Sequence, residues 1–174
     1  MTSQNPPGPP AGHPLGEARF RPLVLGDEDA LIAFHDSCSE RTRYLRFFSL
    51  KPVLSRDEAR RFCANTGPGR YAVAAVDPAG AIVGVGRFYA RDDHDSVEVA
   101  FVVTDAWQGR GVGSALVADV LATAAGRGYG QAVAVTLWEN LKMRRLISAA
   151  GRDARTAADG DTVEITVALD GQAA

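Results

Sequence analysis

The stretch from Glu98 to Ser114 combines a carboxylate, an apolar run and three glycines within five positions. A glutamate can accept a proton from a reacting group. Glycine carries no Cβ, so a glycine-rich backbone can approach a ligand closely. The glycines precede a predicted helix, whose first N–H groups have no intrahelical partner and attract anions such as phosphate. The stretch therefore predicts a phosphate-binding loop near a candidate general base.

The spacing of the glycines excludes two common nucleotide-binding motifs. The dinucleotide fingerprint Gly-x-Gly-x-x-Gly fails because its third glycine would fall at Ser114 or Leu116, and the Gly-Lys-Ser/Thr of the P-loop is absent. The pattern that fits is Gln108-x-x-Gly111-x-Gly113. It resembles the Gln/Arg-x-x-Gly-x-Gly/Ala motif of the GNAT acetyltransferase superfamily. The alternative is a glycine-rich helix start that binds no ligand.

The resemblance implies acetyl-CoA as the co-substrate. His13, His35 and His94 show no ligand spacing, so no metal is expected. In the family, the amides of this loop hold the pyrophosphate of acetyl-CoA. The implied loop residues are Gln108, Gly109, Arg110, Gly111, Val112, Gly113 and Ser114.

Two further segments match family positions for the arm of the cofactor. In the family, a bulge after the glutamate-bearing strand frees backbone groups that hold the pantetheine arm and polarise the acetyl carbonyl. Phe101, Val102 and Val103 match those positions. Asn140 resembles a family asparagine that bonds the same arm, although asparagine is also a favoured helix N-cap.

Glu98 is the candidate catalytic residue. It lies in a predicted strand, 97–103, that is apolar on both faces, so we expect a central strand. An unpaired buried carboxylate is costly, so Glu98 either reaches solvent, pairs with an arginine or acts in chemistry. A lysine amine has a reference pKa of about 10.4 and must lose a proton before it attacks a thioester. We expect a partly desolvated Glu98 that accepts this proton, directly or through one water, and the resemblance implies the same role.

The sequence departs from the family pattern at two places, and one of them is Gly151-Arg152, where Gly-Phe is common in the family. Many GNAT enzymes have a tyrosine that protonates the leaving thiolate, and Ile147 stands at that position here. A thiol has a reference pKa of about 8.5, so its thiolate can leave without a dedicated acid. The absence of this tyrosine puts a dedicated general acid in doubt, but it does not argue against acetyl transfer.

Apolar patterns along the chain predict an α/β fold. We expect a strand at 19–25, helices that begin at Asp27, Ser39 and Ser55, and a three-strand meander at 71–76, 81–90 and 97–103. The helix after Gly113, a strand at 131–137, a helix at 140–150 and a final hairpin with a strand at 162–169 follow. This order resembles GNAT proteins, which implies a mixed, mostly antiparallel central sheet of six to seven strands flanked by helices. Residues 1–17, rich in proline and glycine, are expected to form a disordered arm, and 18–174 one GNAT domain.

Composition narrows the class of protein. Apolar residues make up 46% and charged residues 23%, which is ordinary for a soluble globular protein. The net charge of −2 argues against general nucleic-acid binding. Cys38 and Cys63 have no metal-binding spacing and are expected to be small buried hydrophobes. No apolar stretch is long enough for a membrane span and no signal peptide is recognisable, so we expect a cytoplasmic protein. The sequence leaves the oligomeric state open, and a monomer is favoured.

Two segments indicate which acetyltransferase this is. Residues 41–49 (RTRYLRFFS) and 97–113 (VEVAFVVTDAWQGRGVG) resemble the catalytic domain of bacterial Pat-type protein lysine acetyltransferases. That resemblance implies acetylation, and inactivation, of an AMP-forming acyl-CoA synthetase such as acetyl-CoA synthetase. The alternatives are an acetyltransferase for a small amine or a peptide N-terminus, and a non-catalytic acyl-CoA sensor. Glu98 argues against the sensor, because a pure binder needs no carboxylate in that strand.

The early helices are basic although the chain is net acidic. Their basic side chains are either a solvated face or a docking surface for an acidic patch on a protein substrate. They are Arg41, Arg43, Arg46, Lys51, Arg56, Arg60 and Arg61.

Overall fold

Seven strands form one sheet in the computed structural model, which describes residues 18–65 and 67–169. The strands are β1 (Arg19–Pro22), β2 (Arg70–Val76), β3 (Ile82–Ala90), β4 (Ser96–Val103), β5 (Gln131–Leu137), β6 (Arg152–Asp159) and β7 (Thr162–Ala168). The helices are α1 (Glu28–Ser37), α2 (Glu40–Phe47), α3 (Arg56–Cys63), α4 (Val112–Gly126) and α5 (Leu141–Ala150), with a short 3-10 helix at Asp105–Trp107.

The strand order is β1-β2-β3-β4-β5-β7-β6. Strands β4 and β5 pair in parallel through the α4 crossover, and the other neighbouring pairs are antiparallel. The predicted mixed, mostly antiparallel sheet is therefore confirmed. The predicted disordered arm, 1–17, lies outside the described residues.

Strand β4 lies at the centre of the sheet and has a different helix layer on each face. Val97, Val99 and Phe101 pack in one apolar cluster with residues of α4 and α5. Val102 packs on the opposite face, against the cluster formed with α1 and α3. The predicted alternation along this strand is confirmed, because side chains in a strand point to opposite faces in turn.

Strands β4 and β5 separate partway along their length. Their pairing runs from Ser96↔Gln131 to Val99↔Ala134, but β4 continues to Val103 and β5 to Leu137. The pairing of β4 with β3 is continuous from Ala90↔Val97 to Gly84↔Val103. The register of β4 with β3 is therefore regular from Val97 to Val103, and the departure of β5 opens the sheet beyond Val99.

The predicted helix starts have mixed outcomes. Ser55 and Glu58 form the expected capping box at α3. Asp27 precedes α1 but makes no side-chain cap, which corrects the prediction that it caps this helix. Its carboxylate accepts instead from both Arg21 guanidinium nitrogens, at 2.8 and 2.9 Å, and from the Val24 N–H.

Candidate active site

The glycine loop places backbone donors at the start of α4. Gly109 and Gly111 have φ values of +74° and +84°, a left-handed conformation that favours glycine. Gly111 is the N-cap of α4, so the N–H groups of Val112, Gly113 and Ser114 form the first turn, which has no intrahelical acceptor. A Cβ built on Gly109 meets nothing within 4 Å, so the space beside this backbone is open. These features fit a phosphate group.

The side chains of the loop mainly hold it in place. Gln108 Nε2 donates to Thr42 Oγ1 at 3.2 Å and to the Val103 carbonyl at 3.1 Å, so its amide ties the loop to α2 and β4. The Arg110 guanidinium lies 5.0 Å from the centroid of the Trp107 ring. Val112 is completely buried and anchors the helix start in the core. We therefore expect the backbone of this loop to make its direct contacts with a ligand.

Asp105 was not predicted as part of the site, yet it joins α2 to the loop. Its carboxylate accepts from the Ser39 N–H at 2.9 Å, the Ser39 hydroxyl at 2.7 Å and the Thr42 hydroxyl at 3.0 Å. Burial acts to raise the pKa of Asp105, but these hydrogen bonds outweigh it and hold the pKa below its usual value. The partners lie more than 60 residues away in the chain, so spacing carries no signal for this contact.

The separation of β4 and β5 forms a cleft, here called the strand gap. Thr104 N–H donates to the Val83 carbonyl toward β3. Backbone direction alternates along an antiparallel ladder, so Phe101 and Val103 direct their N–H and C=O groups toward the gap, whereas Val102 directs its own toward β3. Phe101 and the N–H of Val103 are therefore available to a ligand in the gap, whereas the Val103 carbonyl already accepts from Gln108 Nε2 and Val102 faces β3.

Asn140 lines the strand gap opposite β4. Its Oδ1 accepts from the Met143 N–H at 3.2 Å, so it is the N-cap of α5. This contact confirms the capping alternative. The cap uses Oδ1, and the amide nitrogen of the same side chain can contact a ligand, so the two roles of Asn140 are compatible.

Glu98 lies on the face of the sheet that carries α1, α2 and α3. It is exposed, which corrects the expectation of a partly desolvated carboxylate. The helices leave this part of the face uncovered, although the strand itself is central. Glu98 pairs with Tyr89 of β3, and Ala100, two residues further along the same face, lines the strand gap. The carboxylate is thus beside the gap and open to solvent.

A second cleft of about 460 Å³, partly open to solvent, lies between the sheet and helices α1 to α3. We call it the helix cleft. Arg46 and Ala100 line both the helix cleft and the strand gap, so the two clefts meet there. His35 also lines the helix cleft, with its Nε2 3.0 Å from the Lys51 carbonyl. Burial lowers the pKa of His35, so its imidazole is neutral at pH 7.

Ile147, which stands where many relatives have a tyrosine, is completely buried in the core beside α4. Cys38 and Cys63 are also buried, and burial raises the pKa of each thiol to about 11. Both thiols are therefore protonated at neutral pH, as expected of small buried hydrophobes. None of these three residues can supply or take a proton in the strand gap.

The basic early helices are partly neutralised by ion pairs. Arg41 pairs with Glu139, Lys51 with Glu58 and Arg56 with Asp29. Arg60 and Arg61 are exposed on α3. The basic surface is therefore smaller than the count of cationic residues suggests.

Residues 18–152 match the family described as "Acetyltransferase (GNAT) domain". This chain belongs to the GNAT acetyltransferase family. It is 29% identical over 134 residues to "Acetyltransferase Pat" of Mycolicibacterium smegmatis, a match that covers 76% of this chain and 40% of the relative. The chain thus spans less than half of that curated relative.

Solved GNAT structures share the fold. The GNAT domain of S. lividans PAT superposes with a TM-score of 0.80 and 32% identity, covering 87% of this chain and 90% of that one. A phosphinothricin acetyltransferase from Sinorhizobium meliloti, solved in complex with AcCoA, has a TM-score of 0.71 and 24% identity, covering 88% and 89%. The resemblance to Pat-type catalytic domains is therefore confirmed.

The described residues also bear on metal binding and on membrane spanning. Residues 18–65 and 67–169 contain no cluster of three or more His, Cys, Asp or Glu side chains that could hold a metal ion. Within the same ranges, no helix has both the length and the apolarity that crossing a membrane requires.

Proposed function

We propose that this GNAT protein transfers the acetyl group of acetyl-CoA to the ε-amine of a lysine on a protein substrate. The proposed substrate is an AMP-forming acyl-CoA synthetase such as acetyl-CoA synthetase, which acetylation inactivates. The likeness to the GNAT domain of S. lividans PAT, at 32% identity, supports the Pat-type assignment.

A single structural observation carries the proposal. The glycine loop, the strand gap and Glu98 follow one another along β4 and the start of α4, and the gap meets the helix cleft at Ala100. In this arrangement the N–H groups at the start of α4 hold the pyrophosphate of acetyl-CoA. The backbone groups of Phe101 and the N–H of Val103 bond the pantetheine arm along the gap. The acceptor enters from the opposite side, past the exposed Glu98.

Glu98 takes one proton from the lysine ammonium, directly or through one water. The neutral amine then attacks the thioester carbonyl, so a C–N bond forms and the C–S bond breaks. A backbone N–H directed into the strand gap stabilises the developing oxyanion. As the thiolate of CoA leaves, the attacking nitrogen loses its second proton, which passes through water to the thiolate, because Ile147 has no proton to give.

The exposure of Glu98 favours a protein acceptor over an enclosed small molecule. A lysine on a protein surface can reach Glu98 only if the base is accessible, and its side chain is exposed to solvent. The structural neighbour from Sinorhizobium meliloti is named as a phosphinothricin acetyltransferase, so a small amine is the alternative to test.

The test compares acceptor classes in one assay. CoA thiol release is measured with acetyl-CoA and either a panel of acyl-CoA synthetases, free polyamines or a peptide with a free N-terminus. The proposal expects the highest kcat/KM with a synthetase, together with loss of that synthetase's activity. A higher kcat/KM for a polyamine or a peptide N-terminus would replace the proposed acceptor.

A further inference from the structure

Three arginines line the helix cleft, Arg43, Arg46 and Arg87, and Arg43 also donates to the Pro52 carbonyl at 3.1 Å. Arg46 reaches the cleft from α2 and Arg87 from β3. Neither forms an ion pair with any carboxylate in residues 18–65 or 67–169. Such an arrangement is costly, because Arg87 is buried and the half-buried Arg46 adds a like charge in the same cleft.

Arg87 is held in a fixed position. It is only 5% exposed, although it carries a full charge. Its guanidinium lies 4.4 Å from the centroid of the Phe62 ring, and its Nη1 donates to the Tyr89 hydroxyl at 3.3 Å. These contacts occupy one face and one N–H of a group that has five N–H donors. The remaining donors are set in a planar fork that matches a carboxylate.

Arg46 adds a second cation to the same place. Burial, and then the charge of Arg87, lower the pKa of Arg46 to about 10, so it remains charged at neutral pH. The neighbouring groups that act in the opposite direction are Tyr89 and Glu98. Glu98 is the carboxylate among them, whereas three arginines line the cleft, so the cleft has an excess of positive charge at neutral pH.

The register of the sheet places this charge beside the proposed base. Arg87 pairs with Ala100 and Tyr89 pairs with Glu98, so Arg87 and Glu98 are diagonal neighbours on one face. Diagonal neighbours have Cβ atoms about 7–8 Å apart. If one acceptor places an anionic group at Arg87 and an amine at Glu98, the two groups are therefore one or two residues apart in that acceptor.

The position of Arg87 separates it from the proposed acetyl-CoA site. Acetyl-CoA is proposed to lie between β4 and β5, whereas β3 lies on the opposite side of β4. Side chains of α1 and α3 line the cleft around Arg87, including His35 and Phe62. An anion bound here belongs to the acceptor.

We propose that Arg46 and Arg87 bind a carboxylate of the acetyl acceptor, set close to the amine that Glu98 deprotonates. The inference rests on the proposed acetyl transfer and adds a feature of its substrate. On a protein, the carboxylate is that of an Asp or Glu next to the target lysine. On a small acceptor, it is the carboxylate of a free amino acid. The recognition chemistry is the same for both sources, a guanidinium fork on a carboxylate.

The experiment uses matched acceptors that differ by one charge. Two blocked peptides contain a single lysine followed by Asp or Asn, and the second pair is L-leucine and L-leucinamide. CoA thiol release gives kcat/KM for each acceptor, and calorimetry gives Kd for each acetylated peptide in the presence of CoA. The wild-type protein is compared with Arg46→Gln, Arg87→Gln and Arg87→Lys. Arg155→Gln, which removes an exposed arginine from β6, is the control for loss of charge.

The wild type and Arg155→Gln are expected to prefer the Asp peptide by roughly 10- to 100-fold, the range for a charge-assisted hydrogen bond. Arg46→Gln and Arg87→Gln should abolish that preference, so that each variant gives the same kcat/KM for the Asp and Asn peptides. Arg87→Lys should retain part of the preference, because it keeps the charge and loses the fork. If Arg87→Gln does not fold, the preference for the Asp peptide is compared between the wild type, Arg46→Gln and Arg87→Lys.

Each outcome decides the proposal. Equal kcat/KM and equal Kd for the charged and amide acceptors of both pairs in the wild type would overturn it. A preference confined to leucine over leucinamide would assign the carboxylate to a free amino acid. No thiol release with any acceptor, together with tighter binding of the acetylated Asp peptide, would reject the proposed acetyl transfer and support the carboxylate site.

Discussion

Two substitutions of Gly113 separate the anion-binding role of the α4 start from its role in folding. Gly113 lies in the first turn of α4, outside the left-handed region in which side chains are strained. A Cβ at this position meets Leu146 Cδ2 at 3.4 Å and Val103 Cγ2 at 3.9 Å, both ordinary contacts. Gly113→Ala and Gly113→Asp therefore both fit the fold, and only the second adds a charge.

The expected magnitudes follow from this geometry. Gly113→Ala should stabilise the fold by up to about 0.5–1 kcal/mol, because alanine loses less backbone entropy in a helix. In Gly113→Asp, a negative charge near the N-terminus of the helix contributes about 0.3–1 kcal/mol. The same carboxylate repels the pyrophosphate and competes for its N–H donors. Loss of one charge-assisted hydrogen bond costs about 1.5–3 kcal/mol, so acetyl-CoA affinity should fall at least about tenfold.

The assay is calorimetric titration of each variant with acetyl-CoA, with thermal melting of the free proteins as the folding control. We expect Gly113→Ala to bind within a few-fold of the wild type, and Gly113→Asp to bind much more weakly at a melting temperature no lower than that of the wild type. Equal affinity of the wild type and Gly113→Asp would refute the reasoning, since it would mean that this helix start holds no phosphate.

Three further predictions concern other parts of the molecule. Saturating acetyl-CoA should raise the melting temperature, because a ligand at about 100 times its Kd stabilises the folded state by about 2.7 kcal/mol; an unchanged value would contradict the cofactor assignment. Arg60→Glu with Arg61→Glu should slow acetylation of a synthetase more than that of a short peptide, and less so at high salt; equal losses would count against docking by α3. The hydrogen bond from Arg21 lowers the pKa of Asp27, so the stability it contributes is present above about pH 3.9 and disappears as pH falls through the native pKa. Asp27→Asn should therefore melt below the wild type at neutral pH and converge with it in strong acid, and a gap that persists in acid would contradict this.

The parts of the fold that depend on local patterns were predictable from the sequence. The alternation in β4 assigned its side chains to the correct faces, because the period of two is a property of the strand itself. Ser55 and Glu58 identified the start of α3 because a capping box needs only residues within one turn. The glycine spacing gave the position of the anion-binding helix start for the same reason.

The features that the sequence did not reveal depend on contacts between distant segments. The strand gap exists because β5 leaves β4 after Ala134, and the residues of one strand do not determine where its partner departs. Glu98 was expected to be partly buried because both faces of its strand are apolar, but the helices leave its side chain exposed. Arg87 is the feature with a signal in the sequence, because it is a charged residue within an apolar predicted strand.

The central claim is that Glu98 supports acetyl transfer to a lysine of a protein, and one measurement tests it directly. An acyl-CoA synthetase is incubated with isotopically labelled acetyl-CoA and either the wild type or Glu98→Gln, and labelled lysines are quantified by mass spectrometry over time. Because Glu98 is exposed, the substitution should leave the melting temperature nearly unchanged. The account predicts a labelled lysine with the wild type and a rate about 10²–10⁴-fold lower with Glu98→Gln at neutral pH. The deficit should shrink as pH approaches the lysine's own pKa of about 10.4. Equal rates at neutral pH, or no labelled lysine with the wild type, would contradict the account.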